Sequence, residues 1–309
     1  MNDRDFWYVL ADSREFTQKR IIKRTILGEW LVGFRTNDGE VVVLQDRCLH
    51  RQARLSAGRL EHGGLRCPYH GWRYDRTGAV VHIPSEGPGK PKGPCRQAKK
   101  YRTLEQDDLV FVCLADEPAL AGPYRSPCYQ EPGWATRRLI NRIANDVTSC
   151  VENFVDVPHT AYVHPRIFRS PKGEAVQATV SRQNGAVKVT YRNEQKNFGW
   201  FRRFLNPSGA PIQHTDAFHM PNFTTVSYEF GSDRFLHITS QSVPVGERET
   251  LVYTDMTYRF GLWTRFAGPW VRTLAQRVID QDIAHPFAAQ RRGGRGRGRG
   301  DQDGRPAEH

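Results

Sequence analysis

The chain has 309 residues, of which 38% are hydrophobic and 25% are charged, a balance typical of a globular protein with an apolar core. No run of about eighteen apolar residues occurs, which argues against a membrane span. The charged N-terminus carries no apolar leader, so we expect a cytoplasmic protein. The formal net charge of +12 predicts either an ordinary solvated surface or a docking face for an acidic protein. Nucleic-acid binding through the arginine-rich C-terminal end is a less favoured alternative.

Short apolar runs separated by turn residues predict an all-β N-terminal domain over residues 1–115. Residues 30–34 and 41–44 flank an Asn-Asp-Gly sequence, which is a hairpin signal. A second hairpin is predicted over residues 72–81. The apolar run 109–114 then supplies a strand that could close this domain.

The remaining residues predict a second domain over 116–292, followed by a disordered arginine–glycine tail over 293–309. Residues 116–135 are rich in Pro, Gly and Ala, and are expected to form a crossing segment. Helices are predicted over 147–162 and 270–290. Strands of an antiparallel sheet are predicted over 186–192, 223–230, 235–243 and 250–260. The expected fold class is therefore α+β, with an antiparallel sheet and flanking helices in the second domain.

Four candidate metal ligands lie on two arms of the N-terminal domain. Cys48 and His50 form a C-x-H arm, and Cys67 and His70 follow after a gap of sixteen residues as a C-x-x-H arm. A zinc site usually has two cysteines on one arm and two histidines on the other, although zinc stays an alternative here. Mixed arms suit a two-iron cluster in which one iron binds two sulfurs and the other binds two imidazoles.

The same segment resembles the Rieske iron–sulfur family in its surrounding residues, which read CLHR and CPYHGW. The resemblance covers about the first third of the chain. It implies that Cys48, His50, Cys67 and His70 bind a [2Fe–2S] cluster. The other four cysteines have no such partners and are expected to be ordinary thiols.

A second candidate site follows in the pattern N-x-x-D-x-x-H-x-x-x-x-H, which contains Asp156, His159 and His164. Two histidines and a carboxylate are the ligands of many mononuclear non-haem iron sites that activate dioxygen. The carboxylate can come from far along the chain, and Asp280 and Asp282 in the predicted C-terminal helix are the candidates. The alternative is a pair of structural histidines. A one-electron carrier upstream favours the iron site, because its electrons need an acceptor.

With this second motif the chain resembles the Rieske non-haem iron oxygenases over most of its length. The resemblance implies that His159 and His164 bind iron and that Asp156 connects the two metal sites across a subunit boundary. It implies Asp282 as the third ligand, by similarity to an F-E-x-D pattern. This chain reads Ile279-Asp280-Gln281-Asp282 and so departs from that pattern, which leaves Asp280 as a competitor.

By the same resemblance, the chain is expected to be a terminal oxygenase component of the monooxygenase or demethylase type. Electrons from NAD(P)H would arrive through a flavin reductase, a ferredoxin or both, and O₂ would react with a small apolar or aromatic substrate. A homotrimer is expected, because the Asp156 bridge acts between neighbouring subunits. The alternative is a non-enzymatic Rieske electron carrier. His214, His219 and His237 are interpreted as ordinary residues of the sheet.

Overall fold

The computed structural model describes residues 2–89, 91–164, 177–183, 185–192, 205–207, 209, 212–231 and 233–284. The predicted tail 293–309 and the last residues of the predicted C-terminal helix lie outside these ranges. None of the helices among the described residues has the length and apolarity needed to cross a membrane.

The N-terminal part forms two antiparallel sheets. The larger has six strands in the order β1-β10-β9-β4-β3-β2, and the smaller has four strands in the order β5-β6-β7-β8. Their bounds are β1 Trp7–Asp12, β2 Ile22–Ile26, β3 Glu29–Arg35, β4 Val41–Gln45, β5 Arg59–Glu61, β6 Gly64–Arg66, β7 Arg73–Tyr74, β8 Val80–His82, β9 Lys100–Gln106 and β10 Leu109–Cys113.

In the part of the C-terminal region that the structure describes, one antiparallel sheet has seven strands in the order β11-β17-β16-β15-β14-β13-β12. The strands are β11 Ala135–Ile143, β12 Gln177–Gln183, β13 Ala186–Arg192, β14 Ile212–His219, β15 Phe223–Phe230, β16 Arg234–Gly246 and β17 Glu249–Phe260. Consecutive strands from β12 to β17 pair with each other, and β11 pairs with β17 at the edge.

Among the described residues, three α-helices accompany this sheet, namely α1 Val147–Val155, α2 Thr160–Val163 and α3 Gly268–Ala284. Apolar residues of α3 pack on strands β11, β15 and β17 in one buried cluster. Helix α1 contributes Cys150, which packs against Ile143 and Val252. Because both helices cover the same face of the sheet, residues on this face can meet residues from either helix.

The two parts share a hydrophobic core. Residues of β1 and β10 pack in one cluster with Val243, Leu251 and Tyr253 of the C-terminal sheet. At the same boundary, the buried Arg138 of β11 contacts the carboxylate of Asp255 at 2.7 Å and donates to the carbonyl of Asp107 at 2.6 Å. Arg138 also contacts the Asp12 carboxylate of β1 at 3.4 Å, so the N-terminal sheet is fastened to the C-terminal sheet by apolar packing and by this arginine.

The fold class predicted from the sequence is confirmed: an N-terminal β domain precedes a domain with an antiparallel sheet and flanking helices. The two predicted hairpins form as β3–β4 and β7–β8. The sequence did not predict β11, β12 or β14. The single helix predicted over 147–162 is wrong in detail, because it is divided into α1, a 3-10 helix at Val157–His159 and α2.

Candidate metal centres

Two tight loops carry the first set of predicted ligands. In one loop the amide of Gln52 donates to the carbonyl of Cys48 at 2.9 Å, and in the other the amide of Gly71 donates to Cys67 at 3.2 Å. Gly71 has φ +71, and a Cβ there would lie 3.1 Å from Pro84 and 3.2 Å from Arg66. Glycine therefore suits this turn, because it adopts positive φ without a steric cost.

The four side chains of these loops separate into a buried and an exposed half. The thiols of Cys48 and Cys67 are buried, whereas the imidazoles of His50 and His70 are exposed, with ring centroids 4.5 Å apart. Burial raises the pKa of the Cys67 thiol, while the amides of Tyr69 and His70 oppose that rise. Amide donors directed at a sulfur stabilise its thiolate form, which is the form that binds metal.

A buried tyrosine supports the sulfur side of this group. The Tyr74 hydroxyl donates to Sγ of Cys48 at 3.2 Å and accepts from the amide of Leu49 at 2.8 Å. Burial raises the pKa of Tyr74 far above its ordinary value, so the hydroxyl remains a donor. The ring of Trp72 stacks on His50 with centroids 5.0 Å apart, which fixes the orientation of that imidazole.

The second set of predicted ligands brings together residues that are far apart in the sequence. One ligand atom from each of His159, His164 and Asp282 lies within 4.8 Å of the others. Oδ1 of Asp282 is 3.5 Å from Nε2 of His159 and 3.0 Å from Nε2 of His164. Two imidazoles and one carboxylate thus face a common point, which is a donor set suited to a mononuclear iron.

Local sequence explains how two histidines five positions apart reach this point. The Asp146 carboxylate caps α1 by accepting from the amide of Ser149 at 2.9 Å. The helix ends before Pro158, because proline cannot continue the hydrogen-bond ladder of a helix. The chain then turns through the 3-10 helix into α2, and His164 is the C-cap of α2. This change of direction brings His159 and His164 together, with ring centroids 5.4 Å apart.

The pKa values of Asp282 and His159 reflect the contacts within this group. Burial disfavours the charged form of Asp282, but the nearby imidazoles of His159 and His164 lower the pKa of this carboxyl below its ordinary value. Burial likewise opposes protonation of His159, yet the Asp282 carboxylate raises the pKa of that imidazole. A cation can replace these protons, because metal binding and proton release are coupled at such ligands.

The two competing aspartates of α3 occupy different environments. Asp280 is directed away from the histidines, and its Oδ1 accepts from Nε2 of Gln276 at 2.8 Å. Gln281, between the aspartates, accepts at Oε1 from Nδ1 of His164 at 2.9 Å. Asp156 lies beside His159, with its carboxylate 3.8 Å from Nδ1 and its side chain 53% exposed.

Sequence reasoning missed two residues that contact the predicted ligands. Tyr74 carries a weak signal, since it follows the second loop within a predicted hairpin, where a strand side chain can point back toward the cysteines. Nothing in the sequence around Gln281 indicates a contact with a predicted ligand. Its contact with His164 depends on the helical position of residues that are far apart in the chain.

Comparison with known proteins supports the division of the chain into two functional parts. Residues 6–104 match the Rieske [2Fe-2S] domain, and residues 145–306 match the vanillate O-demethylase oxygenase C-terminal domain. The second match covers just over half of the chain.

Curated relatives agree with these family matches. The chain is 36% identical over 164 residues to the oxygenase component of dicamba O-demethylase from Stenotrophomonas maltophilia, covering 52% of this chain and 47% of that protein. It is 32% identical over 191 residues to a toluene-4-sulfonate monooxygenase iron-sulfur subunit from Comamonas testosteroni, covering 60% of this chain and 54% of that protein. The chain spans about half the length of these curated relatives.

A solved structure shares the fold. Dicamba monooxygenase bound to 3,6-dichlorosalicylic acid superposes with a TM-score of 0.78 at 23% identity, over 93% of this chain and 86% of that one. The fold, the two domain matches and the curated relatives lead to the same assignment. The chain belongs to the Rieske oxygenase family, and it joins a Rieske [2Fe-2S] domain to an oxygenase C-terminal domain of the vanillate O-demethylase type.

Proposed function

We propose that this chain is a terminal oxygenase component that hydroxylates or oxidatively demethylates a small apolar or aromatic substrate. It would use O₂ and electrons delivered from NAD(P)H by a reductase, with or without a ferredoxin. The observation that carries the proposal is the convergence of His159, His164 and Asp282 in a chain that also has a Rieske domain. A storage centre for single electrons and a separate ligand set for iron are the two parts that this chemistry needs.

The residues present fit both metal groups. Cys48 and Cys67 would hold one iron of the cluster, and His50 and His70 would hold the other. For the mononuclear site, Nε2 of His159 and Oδ1 of Asp282 are buried without a hydrogen-bond partner among the described residues. Buried polar atoms left in this way are costly unless a ligand satisfies them, and Fe(II) would do so. When bound, the cluster supplies single electrons and the mononuclear iron supplies a binding site for dioxygen.

Asp156 has the position expected of a connecting residue. Its carboxylate is half-exposed beside His159, so it can accept a hydrogen bond from a second molecule while it stays close to an iron-binding histidine. The exposed imidazoles of His50 and His70 could supply that donor from a neighbouring protomer. We therefore propose a head-to-tail homotrimer, because each interface of a closed ring would join one cluster to one mononuclear site.

The relatives support the monooxygenase and demethylase side of the proposal. They include an O-demethylase that acts on dicamba, the methylxanthine N3-demethylase and N1-demethylase of Pseudomonas putida, and an oxygenase named for toluene-4-sulfonate. A non-enzymatic electron carrier is disfavoured, because such a protein would not need the oxygenase domain matched by residues 145–306. The cytoplasmic location and the domain bounds 1–115 and 116–292 remain predictions.

Iron counting tests the proposal. The reconstituted wild type should contain about three irons per chain, two in the cluster and one at the mononuclear site. Asp282→Ala should keep the visible absorption of the cluster and lose one iron. Asp280→Ala is the matched control and should keep all three, because its carboxylate is bonded to Gln276. A wild type with two irons would refute the oxygenase function, and loss of iron in the Asp280 variant alone would refute the ligand assignment.

A further inference from the structure

Asp216 is a buried carboxylate in an otherwise apolar part of the C-terminal sheet. Its side chain is 2% exposed, and its cross-strand neighbours are Val189 on β13 and Val226 on β15. The same row continues across the sheet with Ile238 and Met256. A buried carboxylate beside aliphatic side chains costs stability unless polar partners compensate it, so its presence requires an explanation.

Strand pairing places Asp216 on the face of the sheet that carries the proposed iron site. Side chains directly opposite each other in an antiparallel sheet point to the same face. Val226, Ile238 and Met256 pack in one cluster with Val271 and Ile279 of α3, which also carries Asp282. Asp216 therefore points into the layer between the sheet and the helices that hold the iron ligands.

His214 holds the carboxylate in position. Nε2 of His214 is 2.8 Å from Oδ1 of Asp216, and both side chains are almost fully buried. The imidazole is stacked between Tyr191 and Tyr228, with centroid distances of 4.7 and 4.6 Å. A ring held on both faces cannot rotate freely, so the position of the imidazole nitrogen that contacts Asp216 is fixed.

The carboxylate keeps capacity for a further donor. Neither of its oxygens receives a well-aligned hydrogen bond from the described residues, and Oδ2 has no ion-pair contact there either. An ionised carboxylate accepts several hydrogen bonds, and leaving buried acceptors without donors is costly. A ligand that enters this layer with an O–H or N–H group would supply the missing donor.

We propose that Asp216, oriented by His214, is a substrate-recognition residue that accepts a hydrogen bond from an O–H or N–H group of the organic substrate. This inference rests on the proposed oxygenase function and adds a substrate class to it. A substrate with a hydroxyl or N–H donor is selected, and one whose corresponding group is a carboxylate or sulfonate is rejected. Two like charges held close together in a medium of low dielectric constant repel strongly.

Calorimetric binding to the full-length, iron-loaded protein with an oxidised cluster tests this without a reductase. The probes share one methoxybenzene ring and differ in the para group: 4-methoxyphenol donates, 1,4-dimethoxybenzene only accepts, and 4-methoxybenzoate is an anion. We expect the phenol to bind about tenfold to a hundredfold more tightly than the ether, the range for a hydrogen bond to a charged acceptor. The benzoate should bind most weakly.

The variant Asp216→Asn keeps the size of the side chain and replaces one acceptor by an amide donor. It should reduce the preference for the phenol over the ether by about tenfold or more and improve binding of the benzoate. Asp116→Asn is the matched control, since that side chain is 91% exposed, and it should bind all three probes as the wild type does. If Asp216 had a purely structural role, the substitution would instead lower the melting temperature and leave the order of the three affinities unchanged.

Iron content, measured first on each sample, separates the two levels of the argument. A wild type without mononuclear iron would refute the proposed function. An iron-loaded wild type that does not bind the phenol more tightly than the other probes would overturn the role of Asp216, whether or not the variant folds. An Asp216→Asn protein with the wild-type order of affinities would overturn it too.

Discussion

Removal of the Tyr74 hydroxyl should lower the reduction potential of the proposed cluster. In Tyr74→Phe the ring remains in its fully buried position, and only the hydrogen bond to Sγ of Cys48 at 3.2 Å is lost. A donor to a cluster sulfur stabilises the reduced state more than the oxidised one, because reduction adds negative charge. The substitution therefore removes a contact that favours reduction.

The size of the shift follows from the energy of one hydrogen bond. A typical hydrogen bond contributes about 1 kcal/mol, and we take this as the difference between the two redox states. A tenfold change in a one-electron equilibrium corresponds to about 59 mV or about 1.4 kcal/mol. The expected fall in potential is therefore about 40 mV.

An anaerobic optical titration with redox mediators would measure this potential in wild type and variant. Tyr101→Phe is the control, because Tyr101 is also a buried tyrosine of the N-terminal domain, but its hydroxyl interacts with Glu29 and not with a cysteine. The control should keep the wild-type potential. An unchanged or higher potential in Tyr74→Phe, with the cluster intact, would refute the reasoning.

Three other substitutions test separate contacts. Asp156→Asn should leave both metals bound and slow oxidation of the reduced cluster in stopped-flow experiments, and an unchanged rate would contradict the bridge between protomers. Gln281→Leu removes the acceptor for His164, a proposed iron ligand, and should weaken Fe(II) binding by about tenfold or more in equilibrium dialysis; unchanged affinity would argue against an orienting role. Arg138→Leu leaves the carboxylate of Asp255 buried without its cation and should cost about 3–5 kcal/mol in urea unfolding, whereas Arg142→Leu breaks an exposed ion pair and should cost at most about 1 kcal/mol.

The sequence predicted those parts of the site in which the ligands are close together in the chain. The two loops that carry Cys48, His50, Cys67 and His70 lie beside hairpins, and hairpins are specified by local turn residues. His159 and His164 could be proposed from their spacing and from Pro158 directly before His159, since a bend is needed to bring the two rings together.

The choice between Asp280 and Asp282 could not be made from spacing. Residues two apart on a helix point in different directions, so only one of these aspartates can face the histidines. The aspartate that faces the histidines is decided by the rotation of α3 about its axis relative to the sheet. The packing of Val271, Ala275 and Ile279 sets that rotation. The sequence pattern shows which side of the helix is apolar, but not where His164 lies.

The strands missed from the sequence share a lack of simple alternation. All seven side chains of β12 at the sheet edge are exposed, so no apolar face marks it. Strand β11 contains three arginines, and one of them, Arg138, is buried in an ion pair. His214 was interpreted as an ordinary sheet residue, because its pairing with Asp216 and its stacking between tyrosines depend on strand register.

The shared core between β1, β10 and the C-terminal sheet has a consequence for how such a protein can be divided. A fragment that ended after β10 would expose the apolar side chains that now cover Val243, Leu251 and Tyr253. Large exposed apolar patches promote aggregation, so the cluster-binding part should not survive as a free-standing ferredoxin. Under the proposed function, the parts for electron storage and for oxygen chemistry would therefore have to fold together, and exchange of the proposed reductase would be the simpler way to adapt the system.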